Sequence, residues 1–115
     1  MEKILGIGVD LAEVGRFRKM PFKRHSDFYK KIFTASEIKY CLSKENPYPH
    51  FAARFAAKEA VLKCIQGTIY KILDVEIFND KNGAPSVKVK KQRGRFLVSL
   101  SHTKDHAIAT AIWLN

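Results

Sequence analysis

The chain contains 115 residues, of which 46% are hydrophobic and 28% are charged, a composition typical of one soluble globular domain with a modest core. No apolar run approaches the roughly 20 residues of a membrane span, so we expect residues 1–115 to form a single domain outside any membrane. The 21 Lys and Arg residues outnumber 11 Asp and Glu residues and leave a net charge of +10. This excess predicts a polyanionic partner: a nucleic acid, an acidic protein or a multiply phosphorylated small molecule.

The start of the chain and the cysteines together predict a cytoplasmic protein. The first residues include Glu2 and Asp10 and lack the small-residue cleavage site of a signal peptide. Cys41 and Cys64 have neither a metal-binding nor a redox spacing, and both fall at apolar positions of predicted helices. We therefore expect two buried free thiols in a reducing compartment.

The N-terminal segment, residues 3–10, predicts a strand with one nearly bare face. Its two faces consist of Leu5, Ile7 and Val9 on one side and of Ile4, Gly6, Gly8 and Asp10 on the other. Glycines in a strand indicate close approach of a ligand or of another backbone segment. Asp10 and Glu13 then have the spacing of a helix start, so we expect a short helix to about Met20, ended by Pro21.

Two further helices follow in the predicted order. Thr34 and Glu37 have the spacing of a capping box, which predicts a helix that runs to about Ser43. A proline-rich segment then breaks the chain. Residues 50–66 are rich in alanine and predict the strongest helix of the chain, ended at Gly67.

The last part of the chain changes to a period of two, which predicts strands. The four predicted strands are Ile72–Phe78, Pro85–Val89, Phe96–Ser101 and His106–Leu114. Turns are expected at residues 80–83 and 103–105. One strand, three helices and four strands in that order predict the α+β class: an N-terminal strand, helices, and then a largely antiparallel sheet.

Two carboxylates are the strongest candidates for chemistry. Glu59 lies on the same side of its helix as Phe55 and Leu62, and a core-facing carboxylate needs a partner or a metal. An ordinary pair with Lys63, four residues later, is the structural alternative for Glu59, and a helix N-cap is the alternative for Asp10. If the two carboxylates meet, they could hold Mg²⁺ and leave positions for water and phosphate oxygens.

Other patterns do not support a specific site. Gly6 and Gly8 would need a third glycine at position 11 for a dinucleotide-binding loop, and that residue is Leu. His102 and His106 flank a predicted turn, so their spacing does not predict a zinc pair. The basic run is typical of a solvated strand face and comprises Lys88, Lys90, Lys91, Arg93 and Arg95.

Five motifs in one order resemble a known family, the holo-acyl-carrier-protein synthases, which are small single-domain phosphopantetheinyl transferases. The motifs are GIGVDLAEVGRF (6–17), FTASE (33–37), RFAAKEAVLK (54–63), NGAP (82–85) and VSLSHTKDHAIA (98–109). The resemblance covers nearly the whole chain. It implies transfer of the phosphopantetheine arm of coenzyme A to a serine of apo acyl carrier protein, with Mg²⁺ as cofactor, in fatty acid biosynthesis.

The resemblance also implies roles for particular residues. Asp10 and Glu59 match the Mg²⁺ ligands, and Lys63 joins them as a catalytic residue near the phosphates. The residues expected at coenzyme A are Arg54, Lys58, Lys63, Pro85, Ser101, His102 and Thr103. Arg16 and Arg18 are expected to bind the acidic carrier protein. Family members are typically trimers with active sites between subunits, and we expect a homotrimer here.

The general base stays open between two hypotheses. A water or carboxylate beside Asp10 or Glu59 is one, and His102 is the other. The alternative function is a small basic module that binds RNA or DNA, although no RNP-like motif is present. A relative without activity is a further alternative, which the intact carboxylates and Lys63 disfavour. Two segments depart from the family pattern: residues 67–70 are poorer in glycine, and residues 90–95 are more basic.

Overall fold

The structure is a computed structural model that describes residues 2–66 and 70–115. Its strands are β1 (Ile4–Glu13), β2 (Val75–Asn79), β3 (Pro85–Val89), β4 (Arg95–His102) and β5 (His106–Leu114). Its α-helices are α1 (Val14–Arg18), α2 (Phe22–Ile32), α3 (Ala35–Leu42) and α4 (Pro47–Cys64), and a 3₁₀ turn at Ile72–Asp74 precedes β2. Among the described residues, no helix is long and apolar enough to cross a membrane.

Both sheets are antiparallel. The larger has the strand order β1-β5-β4, and the smaller consists of β2 and β3. The register places Asp10 of β1 opposite Ala109 of β5, and His102 of β4 opposite Ala107 of the same strand. The predicted α+β class, with helices inserted between an N-terminal strand and an antiparallel sheet, is confirmed.

Helix α4 packs very closely on the inner face of the larger sheet. A Cβ atom on Gly6 would overlap the carbonyl oxygen of Cys64, and one on Gly8 would overlap that of Ala60. Opposite them, the buried small residues are Ala107, Ala109 and Ala111 of β5 and Ala52, Ala53, Ala56, Ala57 and Ala60 of α4. The bare strand face predicted from the glycines therefore receives another backbone segment, and α4 is brought against β1.

The short helices enclose an aromatic core beside α4. Phe17, Tyr29, Phe33 and Phe51 are all buried, and the Tyr29 and Phe51 ring centroids are 4.7 Å apart. The Tyr29 hydroxyl lies 3.1 Å from the Phe17 carbonyl oxygen and 2.8 Å from that of Met20, so it can donate to either. This core fixes α1 and α2 at one end of the sheet.

The predicted helix start at Asp10 is wrong. β1 continues through Glu13 because these residues pair with β5, down to Glu13 opposite His106. Helix α1 is only five residues long, and its N-cap Glu13 makes no side-chain capping bond. Strand pairing with β5 satisfies more backbone groups than an isolated cap could, so it overrides the local pattern.

Helix α2 was not predicted. Pro21 precedes it as the N-cap residue, although the sequence analysis had assigned that proline only to the end of α1. An apolar spacing of three to four residues was available in Phe28, Tyr29 and Ile32 and could have identified the helix. The segment is also kinked at His25, which weakens its helical period.

Several boundaries agree with the predictions and a few differ. The Thr34–Glu37 capping box is present, with both reciprocal hydrogen bonds, and Ser43 ends α3. α4 begins at Pro47, earlier than residue 50, because proline is well tolerated in the first helical turn. The predicted strand from Ile72 begins at Val75, after the 3₁₀ turn. The predicted helix end at Gly67 lies outside the described residues.

Candidate active site

A cleft of about 790 Å³ lies where the end of β1, helix α1 and the middle of α4 meet. Its lining includes Asp10, Glu13, Arg16, Met20, Phe55 and Glu59. Asp10 is on the inner face of β1 and Glu59 comes from α4, so the close packing of strand and helix places both carboxylates in one cleft. The structure thus brings together the two residues that the sequence analysis singled out.

Lys63 pairs with Asp10. Its ammonium lies 3.3 Å from the Asp10 carboxylate and donates to the Val9 carbonyl oxygen at 2.8 Å. Asp10 is largely shielded, with 17% of its side chain exposed, whereas Lys63 is 53% exposed. The alternative in which Lys63 serves mainly as an intrahelical partner of Glu59 is therefore not what the structure shows.

The Glu59 carboxylate is only partly compensated by nearby positive charge. None of the described residues donates a hydrogen bond to it. Burial first and the neighbouring Asp10 carboxylate second raise the pKa of Glu59 above its ordinary value, while Lys63 and Arg16 oppose this shift. A cation shared with Asp10 would offset both causes, because it favours the charged form of each carboxylate.

The carboxylate pair fits a hard divalent cation. Within residues 2–66 and 70–115 there is no group of three or more His, Cys, Asp or Glu side chains that could hold a metal ion. Two carboxylates in an open cleft suit Mg²⁺, which keeps several waters and takes phosphate oxygens as further ligands. They do not suit a closed structural metal site.

A basic surface borders the cleft. Arg16 of α1 lies over the rings of Phe17 and Phe55, with its guanidinium 5.1 Å from the Phe55 centroid. Arg18 donates to the Lys104 carbonyl oxygen at 3.1 Å and is 4.0 Å from the Asp105 carboxylate. Arg16 therefore lines the cleft, whereas Arg18, on the same short helix, contacts the turn between β4 and β5.

Arg54 lies in a second group, toward the beginning of α4. Its guanidinium stacks 4.0 Å from the Tyr40 ring centroid, and Lys44 approaches the same ring at 4.8 Å. One N–H of Arg54 donates to the Asn79 side-chain oxygen at 3.3 Å, and Asn79 pairs with Pro85 across β2 and β3. The Arg54 Nε–H is buried with no acceptor among the described residues.

His102 adjoins this second group through His50. The two imidazole rings are 5.3 Å apart in an edge-on arrangement. Burial is the largest cause that lowers the pKa of His50, and the charges of His102, Lys44 and Arg54 add to it. Four side chains that carry or can take positive charge are thus close together, although only two of them were predicted.

Ser101 and Thr103 line a small depression of about 140 Å³ together with His102 and Leu11. Leu11 also lines the cleft that holds Asp10 and Glu59. Thr103 is part of the predicted turn, where its backbone N–H donates to the His106 carbonyl oxygen at 2.8 Å. The predicted binding residues therefore lie in three places: the cleft, the depression and the basic cluster around Arg54.

Lys58 is placed elsewhere. The resemblance assigned it to coenzyme A, but its side chain has no exposed surface and its ammonium pairs with the Glu37 carboxylate at 2.6 Å. We therefore leave Lys58 out of the site.

The sequence analysis missed three residues near these groups. Glu37 was predicted only as a capping residue, and Lys44 and His50 were not singled out. Tyr40 and Lys44 are four residues apart in the sequence, and this spacing was the local indication that Lys44 could pack on the Tyr40 ring.

Comparison with known proteins gives a consistent result. The profile of the family described as the 4'-phosphopantetheinyl transferase superfamily matches residues 6–111. The holo-[acyl-carrier-protein] synthase of Thermodesulfovibrio yellowstonii is 40% identical over 112 residues, which cover 95% of this chain and 97% of that protein. The protein of the same name from Chlamydia caviae is 45% identical over an alignment of 118 positions, gaps included, which covers 94% of this chain and 95% of that protein.

Solved structures show the same architecture. A holo-(acyl-carrier-protein) synthase from Bacillus anthracis, in complex with CoA (3',5'-ADP), superposes with a TM-score of 0.84 and 31% identity over 97% of each chain. The Helicobacter pylori holo-[acyl-carrier-protein] synthase in complex with coenzyme A has a TM-score of 0.77 and 28% identity, over 95% of this chain and 99% of that one.

Proposed function

Because the chain belongs to the 4'-phosphopantetheinyl transferase superfamily, among its holo-[acyl-carrier-protein] synthases, we propose that it transfers 4'-phosphopantetheine from coenzyme A to a serine of an apo acyl carrier protein in a Mg²⁺-dependent reaction. The observation that carries the metal requirement is the pair of carboxylates in one cleft, of which Glu59 lacks any donor among the described residues. The nucleic-acid-binding alternative explains the net charge but not this pair.

The reaction forms one phosphorus–oxygen bond and breaks another. The carrier serine oxygen attacks the β-phosphorus of coenzyme A, the bond to the bridging pyrophosphate oxygen breaks, and adenosine 3',5'-bisphosphate leaves with that electron pair. The serine proton passes to a base. The enzyme needs no nucleophile of its own, so its residues bind, orient and stabilise charge.

Asp10 and Glu59 would hold Mg²⁺. When bound, the ion supplies positive charge to the pyrophosphate oxygens as charge develops on them. Lys63 adds a second positive charge, already fixed by its contacts to Asp10 and to the Val9 carbonyl oxygen. A carboxylate oxygen of Glu59 or a water held beside it is our choice for the base. His102 is disfavoured because its ring lies against His50 and not in the cleft.

The basic cluster around Arg54 is suited to coenzyme A phosphates. A guanidinium with a buried, unused Nε–H, beside the Lys44 ammonium and an imidazole that can take up a proton, favours a multiply charged anion. Pro85 lies on the strand that faces Asn79 and so borders the same place. We infer that Arg54, Pro85, Ser101, His102 and Thr103 contact coenzyme A.

The acidic carrier would bind along α1 and the start of α2. Arg16 lines the cleft and Arg18 lies on the same helix, and complementary charge speeds the encounter and orients the partner. The Arg16 guanidinium lies within about 6 Å of two aromatic ring centroids, which reduces the entropy lost when it forms a salt bridge with a carrier carboxylate. We further infer that the reaction takes place in the cytoplasm and serves fatty acid biosynthesis.

The outer face of the larger sheet supports a homotrimer. Its exposed apolar side chains include Ile7 (71% exposed), Leu11 (64%) and Val9 (51%) of β1, next to Ile108 of β5 and Leu97 of β4. A contiguous apolar face of this kind marks a surface that a partner covers. An Ile7→Asp variant should reduce the mass measured by light scattering from that of three chains to that of one, and a wild-type mass of one chain would contradict the proposal.

The reaction itself is tested by intact-mass spectrometry of the carrier. We would incubate the wild-type protein with Mg²⁺, coenzyme A and apo acyl carrier protein, and expect the carrier to gain one phosphopantetheine unit. EDTA should abolish the gain, and added Mg²⁺ in excess should restore it. Folded enzyme that modifies none of several carriers would contradict the transfer, and transfer that resists EDTA would contradict the metal requirement.

A further inference from the structure

We propose that the buried Glu37–Lys58 ion pair is a positioning device for the active site: it fixes the rotation of α4 and thereby holds Glu59 at the distance from Asp10 that a divalent cation requires. This inference rests on the proposed function, because it assigns a role toward the same metal site. Glu37 and Lys58 are positioning residues here, since neither one contacts the cleft.

Glu37 joins three elements. One carboxylate oxygen accepts from the Lys58 ammonium at 2.6 Å and from the Thr34 backbone N–H at 2.8 Å. The other accepts from the backbone N–H of Ile77 in β2 at 2.8 Å. The side chains of Glu37 and Lys58 are completely buried. A single carboxylate therefore ties α3, α4 and β2 together.

Lys58 is the residue immediately before Glu59. In an α-helix consecutive side chains differ in direction by about 100°, since 3.6 residues complete one turn. If the direction of Lys58 is fixed by Glu37, that of Glu59 is fixed as well. A helix rotation of a few tens of degrees would move the Glu59 carboxylate, several Å from the helix axis, by more than a metal–oxygen bond tolerates.

The packing of α4 on the sheet does not fix this rotation by itself. The contact surfaces are glycine and alanine, with Gly8 under Ala60 and alanines on both sides. Small residues allow close approach but provide few large side chains that interlock, so they limit distance more than rotation. Lys58 adds a directional constraint from the other side of the helix, next to Glu59 itself.

An ion pair is a costly way to fill this interior. A buried pair replaced by apolar groups of similar volume is often neutral or stabilising, because the desolvation penalty offsets the attraction. Burial lowers the pKa of Lys58 below its ordinary value even though Glu37 opposes that shift. The pair thus brings little net stability and supplies direction.

The same carboxylate reaches the second part of the site. β2, held by Glu37 at Ile77, also carries Asn79, which accepts from Arg54 and pairs with Pro85 of β3. The proposed metal ligands and the proposed coenzyme A contacts therefore share one anchor. A change at Glu37 should affect the metal site first, because Lys58 adjoins Glu59 directly.

The test compares two double variants. In Glu37→Gln/Lys58→Met the buried charges are removed and the volumes are kept. In Glu2→Gln/Arg95→Met an exposed pair, with contacts of 2.7 and 2.8 Å, is removed in the same way and serves as the control. Mn²⁺ binding without substrate is followed by electron paramagnetic resonance, together with urea unfolding and the kcat and KM for coenzyme A.

We expect the buried double variant to fold with lower stability than wild type, because an amide has one acceptor oxygen where the Glu37 carboxylate accepts from both the Thr34 and the Ile77 N–H groups. We expect it to bind Mn²⁺ about tenfold more weakly, as for residues that orient metal ligands. Its kcat should fall while its KM for coenzyme A changes little, and the control should match the wild type in all readouts. Wild-type Mn²⁺ affinity and kcat in the folded buried variant would overturn the inference.

A second variant covers a failure to fold. Glu37→Asp keeps the charge that meets Lys58 and shortens the side chain by one methylene, and we expect a smaller loss of Mn²⁺ affinity in the same direction; unchanged affinity would again overturn the inference. If the wild type modifies the carrier but binds no Mn²⁺, the metal site and this inference both fall. If the wild type binds Mn²⁺ but modifies no carrier, only the proposed function falls.

Discussion

Two consecutive residues of α4, Lys58 and Glu59, lie in opposite electrostatic environments. Lys58 is fully buried and its charge is met by Glu37 at 2.6 Å. Glu59 is half-buried beside a second carboxylate, and none of the described residues donates to it. The Lys58 charge is therefore met by an opposite charge at the cost of desolvation. The Glu59 charge has no hydrogen-bond donor in residues 2–66 and 70–115 and lies beside a like charge.

The different environments of Lys58 and Glu59 indicate a structural role for one side of α4 and a functional role for the other. A compensated pair can be removed as a unit with little loss of stability, but not one partner at a time. A half-buried carboxylate without a hydrogen-bond donor, beside a second carboxylate, is unfavourable in the metal-free protein, and it is retained where a ligand supplies further positive charge. Substitutions on the two sides should therefore move stability and activity in different proportions.

Lys58→Met should produce the largest loss of stability. It leaves the Glu37 carboxylate buried without its cationic partner, which costs about 3–5 kcal/mol of unfolding free energy. Urea unfolding followed by circular dichroism measures this. Lys39→Met, on the exposed side of α3, is the matched control and should stay within about 0.5 kcal/mol of wild type. A similar small effect at Lys58 would show that the pair is not tightly coupled.

Glu59→Gln should show the reverse pattern. We expect transfer to fall by at least about 100-fold, as when a group that stabilises transition-state charge is removed. The metal-free protein should be as stable as wild type or slightly more, because a neutral amide beside Asp10 removes the repulsion that raises the Glu59 pKa. Carrier modification and thermal unfolding in EDTA give the two readouts.

The exposed Glu45→Gln is the control for that experiment and should leave both quantities unchanged. Near-normal transfer in Glu59→Gln would remove this carboxylate from the mechanism. A clear loss of metal-free stability would show instead that Glu59 has a structural partner.

Gly8→Ala tests the packing that brings the two carboxylates together. The added methyl group would overlap the Ala60 carbonyl oxygen, so α4 must shift, and overpacking of this kind costs about 1–3 kcal/mol. The shift should also reduce transfer, because it changes the spacing of Asp10 and Glu59. Gly15→Ala is the control for stability: no atom lies within 4 Å of its added Cβ. Equal stability of the two variants would contradict the packing argument.

The sequence predicted those parts of the fold that depend on local chemistry. Thr34 and Glu37 cap α3 as expected, and the turn before β3 has the predicted glycine at positive φ, Gly83 at 84°. Asp10 was placed at a helix start because its local pattern allows that. Only the pairing of β1 with β5, almost 100 residues away, shows that the strand continues.

For the candidate site, too, the sequence predicted local features but not the tertiary contacts. Asp10 and Glu59 could be named as a possible pair, but their meeting depends on the close fit of Gly8 against Ala60, which no local pattern contains. Lys58 was assigned to coenzyme A because it lies in a family motif. Its partner Glu37 is 21 residues away on another helix, so only tertiary structure shows that the charge is satisfied internally.

His50 extends the comparison to the first half of α4 and gives the smallest expected effect. Burial, with the charges of His102, Lys44 and Arg54, lowers the pKa of His50 in the folded protein. As the pH falls, the imidazole of the unfolded chain takes up a proton near its ordinary pKa of about 6.5, before that of the folded protein does. Stability is therefore lost as the pH falls through this range.

His50→Gln removes that difference between the folded and unfolded states, so the melting temperature of the variant should fall less than that of wild type between pH 7.5 and pH 5. Parallel curves of melting temperature against pH for wild type and His50→Gln would show that His50 has the same pKa in the folded and unfolded states. The basic cluster would then have no electrostatic effect on this imidazole. A smaller pH dependence of the melting temperature in His50→Gln would show that the charged form of His50 is disfavoured in the folded protein, as that of Glu59 is. At His50 this matters only at acidic pH. A phosphate bound in the basic cluster should raise the His50 pKa again.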